Sequence, residues 1–206
     1  MALITERETA ASGREPGAVV CAGGDRPDED LAVLAAGGDQ AAFGVLVTRW
    51  ERRVYRFVLV RLRCEHDAAE VTQESLLRAW RAMPRFRPTA RFSTWLFSIA
   101  HREAVNVVRR RQRDRRDKTR DAGRAEEAVR DEVLPDVWRA AREVLDDASF
   151  EAVWLRYVED LEPKQIARVT GKTAVGVRVC LHRARARLEE ALRENGPESG
   201  VLDGTG

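Results

Sequence analysis

IARVTGKTAVGVRVCLHRARARL, residues 166–188, has the spacing that two short helices need in order to cross at a tight turn. Ala167 leaves room for the crossing, and Gly171, four residues later, suits a turn with a positive φ. Val177 lies six residues after the glycine, and apolar residues continue its stripe at helical spacing. The stretch therefore predicts a helix-turn-helix. A helical hairpin that only packs is the alternative.

The side of this segment away from the apolar stripe carries residues suited to DNA. Thr173 can cap the second helix, which leaves N-terminal N–H groups available to phosphates or base edges. Val175, Val179 and Cys180 make the surface unusually apolar, and apolar contact to thymine methyl groups can also specify sequence. The candidate DNA contacts are Lys172, Thr173, Ala174, Val175, Arg178, Val179, His182 and Arg185.

Charge is distributed unevenly along the 206 residues. The formal net charge is only +2, yet arginines cluster in RRRQRDRR (109–116) and HRARAR (182–187). Such clusters suggest nucleic acid, although a solvated face is an equally good reading of either run alone. Charged residues make up 34% and aromatics 6%, which favours small helical modules over one large globule.

The cysteines and the N-terminus indicate a reducing compartment. Cys21, Cys64 and Cys180 are far apart and form no C-x-x-C pair, so neither a disulfide framework nor a zinc site is expected. Residues 1–17 carry charges where a signal peptide needs an apolar core, and no apolar run is long enough to span a membrane. We expect a cytoplasmic protein without a metal, a cofactor or a membrane association.

No strand pattern persists, so the predicted fold class is all-α, with two small helical domains joined by a flexible charged linker. Helical patterning begins near Asp28, Asp39 can cap the next helix, and Ser93 or Thr94 can cap a later one. A further helix is expected from Asp67 to about Met83. The expected units are a disordered extension (1–26), a first domain (27–113), the linker (114–133), a second domain with the helix-turn-helix (134–194) and a disordered tail (195–206).

Two further motifs lie in the first domain. In DAAEVTQESLLRAW (67–80) an acidic patch at helical spacing suits a basic coiled-coil partner, although a solvated face is the alternative. Its members are Asp67, Glu70, Gln73 and Glu74. In RFSTWLFSIAHREAVNVVRRR (91–111) one helix face offers an aromatic and polar groups to a single strand, and the opposite face is core. The first face holds Trp95, Ile99, Arg102 and Asn106; the core face holds Leu96, Ala100, Ala104 and Val107.

These motifs, in this order, resemble those of bacterial RNA polymerase sigma factors of the extracytoplasmic-function (ECF) type. The resemblance implies that 67–80 binds the polymerase β′ coiled coil, that 91–111 opens the −10 promoter element and that 155–188 reads the −35 element. It also implies that the loop MPRFRPTARF (83–92) captures a flipped base. The implied −10 contacts are Arg85, Phe86, Arg87, Arg91, Trp95, Ile99, Arg102, Asn106, Arg109 and Arg110.

The same resemblance implies the partners and the kind of activity. Core RNA polymerase (through its β′ coiled coil and β flap), promoter DNA and an anti-sigma factor are the expected partners. Binding, strand separation and release involve no covalent chemistry, so no catalytic residue is expected. The sequence departs from the family where Val179 and Cys180 replace two polar DNA contacts, so the promoter sequence cannot be copied from a typical member.

Three other classes of function stay open at this point. An enzyme would need a site such as His66 beside Cys64 and Asp67. A DNA-binding regulator that acts without polymerase would need only the helix-turn-helix. A polymerase-binding protein with little DNA affinity would fit the altered second helix.

Overall fold

The computed structural model describes residues 26–117 and 136–194, and it describes side chains over 26–114 and 137–193. Every regular element in these ranges is helical, as the sequence predicted. The elements are α1 (Asp28–Ala36), α2 (Gln40–Leu62), α3 (Glu65–Ala82), a 3₁₀ turn (Met83–Arg85), α4 (Phe92–Asp117), α5 (Asp136–Val144), α6 (Asp147–Tyr157), α7 (Pro163–Thr170) and α8 (Ala174–Glu194). We call α1–α4 the first module and α5–α8 the second module.

The core of the first module is built on one apolar stripe of α2. The helix begins where Asp39 accepts a hydrogen bond from the Ala42 N–H at 3.0 Å, as predicted. Trp50 and Phe57 are buried and meet the ring of Phe97 edge to face, at centroid distances of 5.8 and 5.2 Å. These rings fix α4 against α2 and hold the candidate −10 helix in place.

The second module contains the predicted helix-turn-helix, formed by α7 and α8. Gly171 ends α7 with φ +69°, the left-handed conformation that the turn was expected to need. Ala167 and Val177 are buried where the two helices meet. Thr173 accepts a hydrogen bond from the Gly176 N–H at 3.1 Å and so caps α8, as predicted. The local requirements read from the sequence are therefore all met.

The two modules contact each other, which the sequence did not predict. Glu151 on α6 is buried, with Arg61 Nη1 at 2.6 Å from one carboxylate oxygen and His101 Nδ1 at 2.6 Å from the other. Glu159 is also buried and lies 2.8 Å from Arg53 Nη2. Helix α7 packs along α4. We call these two carboxylates and their partners the interdomain contact.

Some predicted boundaries need correction. Helix α3 begins at Glu65 rather than at Asp67, and Cys64 at its N-cap makes no side-chain hydrogen bond. Helix α4 begins at Phe92, so Ser93 and Thr94 lie inside its first turn rather than before it, and the Thr94 hydroxyl is buried without a partner among the described residues. Helix α4 also continues to Asp117 into the predicted linker. The rest of that linker, the tail at 195–206 and nearly all of the extension at 1–26 lie outside the described residues.

Candidate functional site

The acidic patch on α3 is divided between paired and unpaired side chains. Asp67 forms an ion pair with Arg111 of α4, and Glu74 forms one with Arg78 at 2.6 Å. Glu70 and Gln73 are exposed, and within the described ranges neither makes a side-chain hydrogen bond or ion pair. Glu70 and Gln73 are therefore the members of the patch that are free to meet a partner.

An open groove runs beside this patch between α2 and α3. Its lining is Thr48, Glu51, Arg52, Tyr55, Ala69, Thr72 and Gln73. Burial raises the pKa of Tyr55, and the charges of Glu65 and Cys64 raise it further, so the phenol keeps its proton. The groove thus presents the Tyr55 phenol and both signs of charge next to Gln73, whereas the hydroxyls of Thr48 and Thr72 donate to carbonyls of their own helices.

The predicted base-capturing loop is organised around a buried ring. Phe86, only 5% exposed, meets the rings of Phe92 and Trp95 edge to face at 6.1 and 5.2 Å. The expectation that Phe86 is open to a strand is wrong for this conformation, because those rings cover it. Arg85, Arg87 and Arg91 of the same loop are exposed. Trp95 is half-buried, so part of its ring is accessible.

The predicted DNA face of α4 is only partly accessible. Ile99 is 5% exposed, so its assignment to an open face is wrong. Glu103, one turn further along the same side of α4, pairs with Arg78 of α3 at 2.7 Å, so the side of α4 that carries Ile99 faces α3. Arg102, Asn106, Arg109 and Arg110 are exposed. These four residues leave a basic and polar strip along α4.

The helix-turn-helix presents most of its predicted contacts to solvent. Lys172, Thr173, Val175, Arg178, Val179, His182 and Arg185 are exposed, and Ala174 is half-buried. Cys180 is half-buried with its Sγ 3.5 Å from Ser149 Oγ, so it faces α6 rather than the reading surface. Arg185 pairs with Glu189 at 2.8 Å, whereas Arg178 has no ion pair among the described residues. Arg178 and Arg183 are thus both exposed cations of α8 without an ion pair among the described residues.

A metal site at the predicted cluster is not favoured by its surroundings. Ligand atoms of His66, Asp67 and Glu70 lie within 4.8 Å of one another, and Cys64 is not among them. The guanidinium of Arg111 already binds Asp67 and repels a cation there.

Within the described ranges, no helix is long and apolar enough to cross a membrane.

Sequence reasoning missed the residues of the interdomain contact. A signal was present, because FEAVWLRYVED (150–160) places Glu151 and Glu159 next to apolar residues of a predicted helical stripe. Buried acids require partners, and here the partners come from the first module. Burial raises the pKa of Glu159, and the charge of Arg53 opposes that increase without cancelling it. The contact therefore includes a carboxylate whose ionisation is costly.

Known proteins share both modules in this order. Residues 46–114 match Sigma-70 region 2, and residues 139–188 match Sigma-70, region 4. The ECF RNA polymerase sigma-E factor of Haemophilus influenzae is 30% identical over 184 residues, which cover 81% of this chain and 95% of the relative. The ECF RNA polymerase sigma factor SigE of Mycolicibacterium smegmatis is 31% identical over 179 residues, which cover 82% of this chain and 69% of the relative.

A solved structure agrees with these relatives. It is that of CnrH in complex with the cytosolic domain of CnrY, with a TM-score of 0.60 and 27% identity over 82% of this chain and 98% of CnrH. Two family matches in the expected order, relatives that align over most of this chain and this shared architecture agree with the motifs described above. The chain belongs to the ECF-type sigma factors of bacterial RNA polymerase.

Proposed function

We propose that this protein is a dissociable RNA polymerase subunit that directs initiation at its own class of promoters. Residues 27–113 bind core polymerase and the −10 element, and residues 134–194 read the −35 element. The observation that carries the proposal is the order of surfaces along one chain: an acidic patch on α3 with Glu70 and Gln73 free, a basic strip on α4 and a helix-turn-helix. A DNA-binding regulator that acts alone does not need the first of these surfaces.

The polymerase-binding face is centred on Glu70 and Gln73. Both side chains are exposed beside the groove between α2 and α3, so they can meet the basic β′ coiled coil without breaking an internal pair. Asp67 and Glu74 belong to the same face, and each must share its carboxylate with an arginine of this chain. The β flap is proposed as the polymerase partner of the second module.

Strand separation at the −10 element is assigned to the start of α4 and the loop before it. Arg85, Arg87 and Arg91 are exposed in the loop that leads into α4, and the half-buried Trp95 in the first turn provides an aromatic surface for an unstacked base. Phe86 acts on this site by supporting the Trp95 ring rather than by touching DNA. The strand then continues along Arg102, Asn106, Arg109 and Arg110.

The −35 contacts are assigned to the turn and the first half of α8. Lys172 and Thr173 precede the helix N-terminus, where anions bind favourably. Arg178 is the principal donor to base edges or phosphates. The remaining proposed contacts are Ala174, Val175, Val179, His182 and Arg185.

This activity has consequences for the chemistry that the protein needs, its place of action and its inhibitory partner. Because binding, melting and release require no bond to be made or broken in the protein, the chain acts without catalytic residues or a cofactor. Its place of action is the cytoplasm, where core polymerase and promoter DNA are found. An anti-sigma factor is the proposed inhibitory partner, and CnrH, a structural relative, was solved with the cytosolic domain of CnrY.

Run-off transcription tests the proposal. Purified core polymerase is supplied with the full chain and a pool of genomic promoter fragments, and discrete transcripts that depend on the protein are expected. Arg178→Ala should weaken holoenzyme binding by about 1–3 kcal/mol at a matched −35 site and less at a scrambled one. Arg193→Ala is the control, because Arg193 is exposed near the far end of α8.

Two results would contradict the proposal. DNA binding that is equally strong and selective without core polymerase would favour a regulator that acts alone. Tight core binding without any promoter-directed transcript would favour a polymerase-binding protein with little DNA affinity.

A further inference from the structure

Two valines occupy the most outward side of the recognition helix α8. Val175 is 63% exposed and Val179 is 43% exposed, one helical turn further on. They lie opposite the buried residues Val177 and Ala184, which attach α8 to the rest of the second module. Single apolar residues scattered over a protein surface are normal. An exposed apolar pair at the centre of a reading surface, in contrast, needs an explanation.

The surroundings of this pair are basic on both sides. At 100° per residue, Arg178 lies on one flank of the valine strip and Arg183 on the other, and both are exposed. No acidic residue occurs in α8 before Glu189, more than two turns beyond Val179. The occupant of the strip must therefore present an apolar group between two lines of negative charge.

Duplex DNA has this arrangement in its major groove. Phosphates line both edges, and the C5-methyl group of thymine is the apolar group that an unmodified base presents there. Valine has neither a donor nor an acceptor, so it cannot distinguish the other bases by hydrogen bonds. A protein partner would need an apolar ridge between two acidic edges, whereas any duplex with thymines in its major groove already has an equivalent arrangement.

We propose that Val175 and Val179 read the −35 element through the methyl groups of thymines. The proposal rests on the assignment of α8 to −35 recognition above and adds the chemical group that is recognised. Residues four apart on a helix are separated by about 6 Å along its axis, and successive base pairs by about 3.4 Å. The two thymines should therefore lie one or two base pairs apart, with Arg178 on the adjoining phosphate or base edge.

Deoxyuridine substitution gives a direct test, because uracil differs from thymine only by the missing methyl group. A promoter is first recovered from the genomic pool with holoenzyme containing the full chain. Each −35 thymine is then replaced singly by deoxyuridine, and holoenzyme affinity is measured. Loss of one buried methyl contact should weaken binding about fourfold at one or two positions, with little effect in the spacer.

A protein variant links the lost methyl group to its contact. In holoenzyme with Val175→Ala and Val179→Ala, deoxyuridine at those positions should cause no further loss, because the contact has already been removed. Val137→Thr is the matched control, since Val137 is a 64% exposed valine on α5. With this control the deoxyuridine effect should remain about fourfold, as for the unmodified chain.

The outcomes separate this inference from the proposed function. If transcripts arise normally but deoxyuridine is tolerated at every −35 position, the thymine reading is overturned and the sigma activity stands. If the alanine variants lower affinity for core polymerase and not for DNA, the valines dock on protein and the inference also fails. If no promoter is recovered with the unmodified chain, both the inference and the proposed function are overturned.

Discussion

The carboxylates on α3 differ in the partners they already have. Asp67 is attached to Arg111 and Glu74 to Arg78, whereas Glu70 is exposed without an ion pair among the described residues. Exposed ion pairs contribute little to stability, but they compete with an incoming partner for the same oxygen atoms. At the scale of single residues, the free carboxylate is therefore the better test of polymerase binding.

Glu70→Lys should lower the affinity for core polymerase, because it places a positive charge against a basic coiled coil. Folding stability should change by no more than about 0.5 kcal/mol, since the side chain is exposed. Titration of core polymerase with labelled protein measures the affinity. Glu143→Lys makes the same charge change on the exposed surface of α5 and should leave binding intact.

Equal binding by the Glu70 and Glu143 variants would remove α3 from the polymerase interface. Asp67→Lys is the less informative change, because it also breaks the link between α3 and α4.

At the scale of elements, the helix-turn-helix depends on one backbone conformation. Gly171 has φ +69°, and a β-carbon built there would meet nothing within 4 Å. The cost of a side chain is therefore conformational rather than steric. A glycine inside a helix has the opposite property, and α2 provides one at Gly44, where space is equally open.

Gly171→Ala should destabilise the protein by about 1 kcal/mol, because alanine is strained in the left-handed region. Gly44→Ala should stabilise it by up to about 1 kcal/mol, because alanine is the better helix former. Urea unfolding of the three proteins measures both signs. An unchanged stability of the Gly171 variant would contradict the expected conformational cost, and destabilisation by Gly44→Ala would contradict the expected gain in helix formation.

The start of α4 makes a second prediction at this scale. Trp95→Ala should reduce open-complex formation on duplex promoter DNA more than on a template already mismatched at the −10 element, because the ring assists strand separation. Permanganate footprinting on both templates measures the difference. Trp95→Phe is the control for packing, since a smaller ring can still meet Phe86 and Phe92.

If Trp95 serves only the core, the alanine variant should lose activity equally on both templates, and its melting temperature should fall. That result would mean that the arginines of the loop, and not Trp95, capture the base.

A structural feature could be predicted from the sequence when the residues that form it lie close together in the chain. The turn of the helix-turn-helix was predictable because Ala167, Gly171 and Val177 satisfy requirements within a few residues of one another. The burial of Ile99 was not, because it depends on a neighbouring helix, and the side of α4 that carries Ile99 faces α3. The pairing of Glu159 with Arg53 joins residues 106 positions apart, and periodicity within one helix contains no information about such a pair.

At the scale of the whole molecule, the interdomain contact combines apolar packing with two buried carboxylates. Glu151 is held by Arg61 and His101, and Glu159 by Arg53. Buried ion pairs stabilise weakly or not at all relative to apolar residues, because each charge must be removed from water. Such a contact can hold the modules together and still separate when polymerase or DNA offers a better surface.

Glu159→Gln should change how stability depends on pH. Burial raises the pKa of Glu159 despite the charges of Arg53 and Arg56, so the docked state binds the proton more tightly than the separated or unfolded chain. Its contribution to stability is therefore present at low pH and is lost as the pH rises through the raised pKa. Relative to the unmodified protein, the glutamine variant should gain stability from about pH 5 to about pH 8.

Urea unfolding of both proteins at the two pH values measures this difference. Glu190→Gln, an exposed carboxylate on α8, is the control and should track the unmodified protein. A constant difference between the Glu159 variant and the unmodified protein at both pH values would mean that Glu159 does not titrate differently on docking.

Docking of α7 on α4 also bears on the spacer between the two promoter elements. Positions −10 and −35 are about two and a half turns of duplex apart, or roughly 85 Å. Because α7 packs along α4, the docked molecule holds the proposed −10 surface of α4 and the proposed −35 helix α8 at one fixed separation. After separation, residues 118–135 can extend by at most about 60 Å. A range of spacer lengths is thus open only to the undocked chain, and deletions within 118–135 should narrow the range of spacers that the holoenzyme accepts.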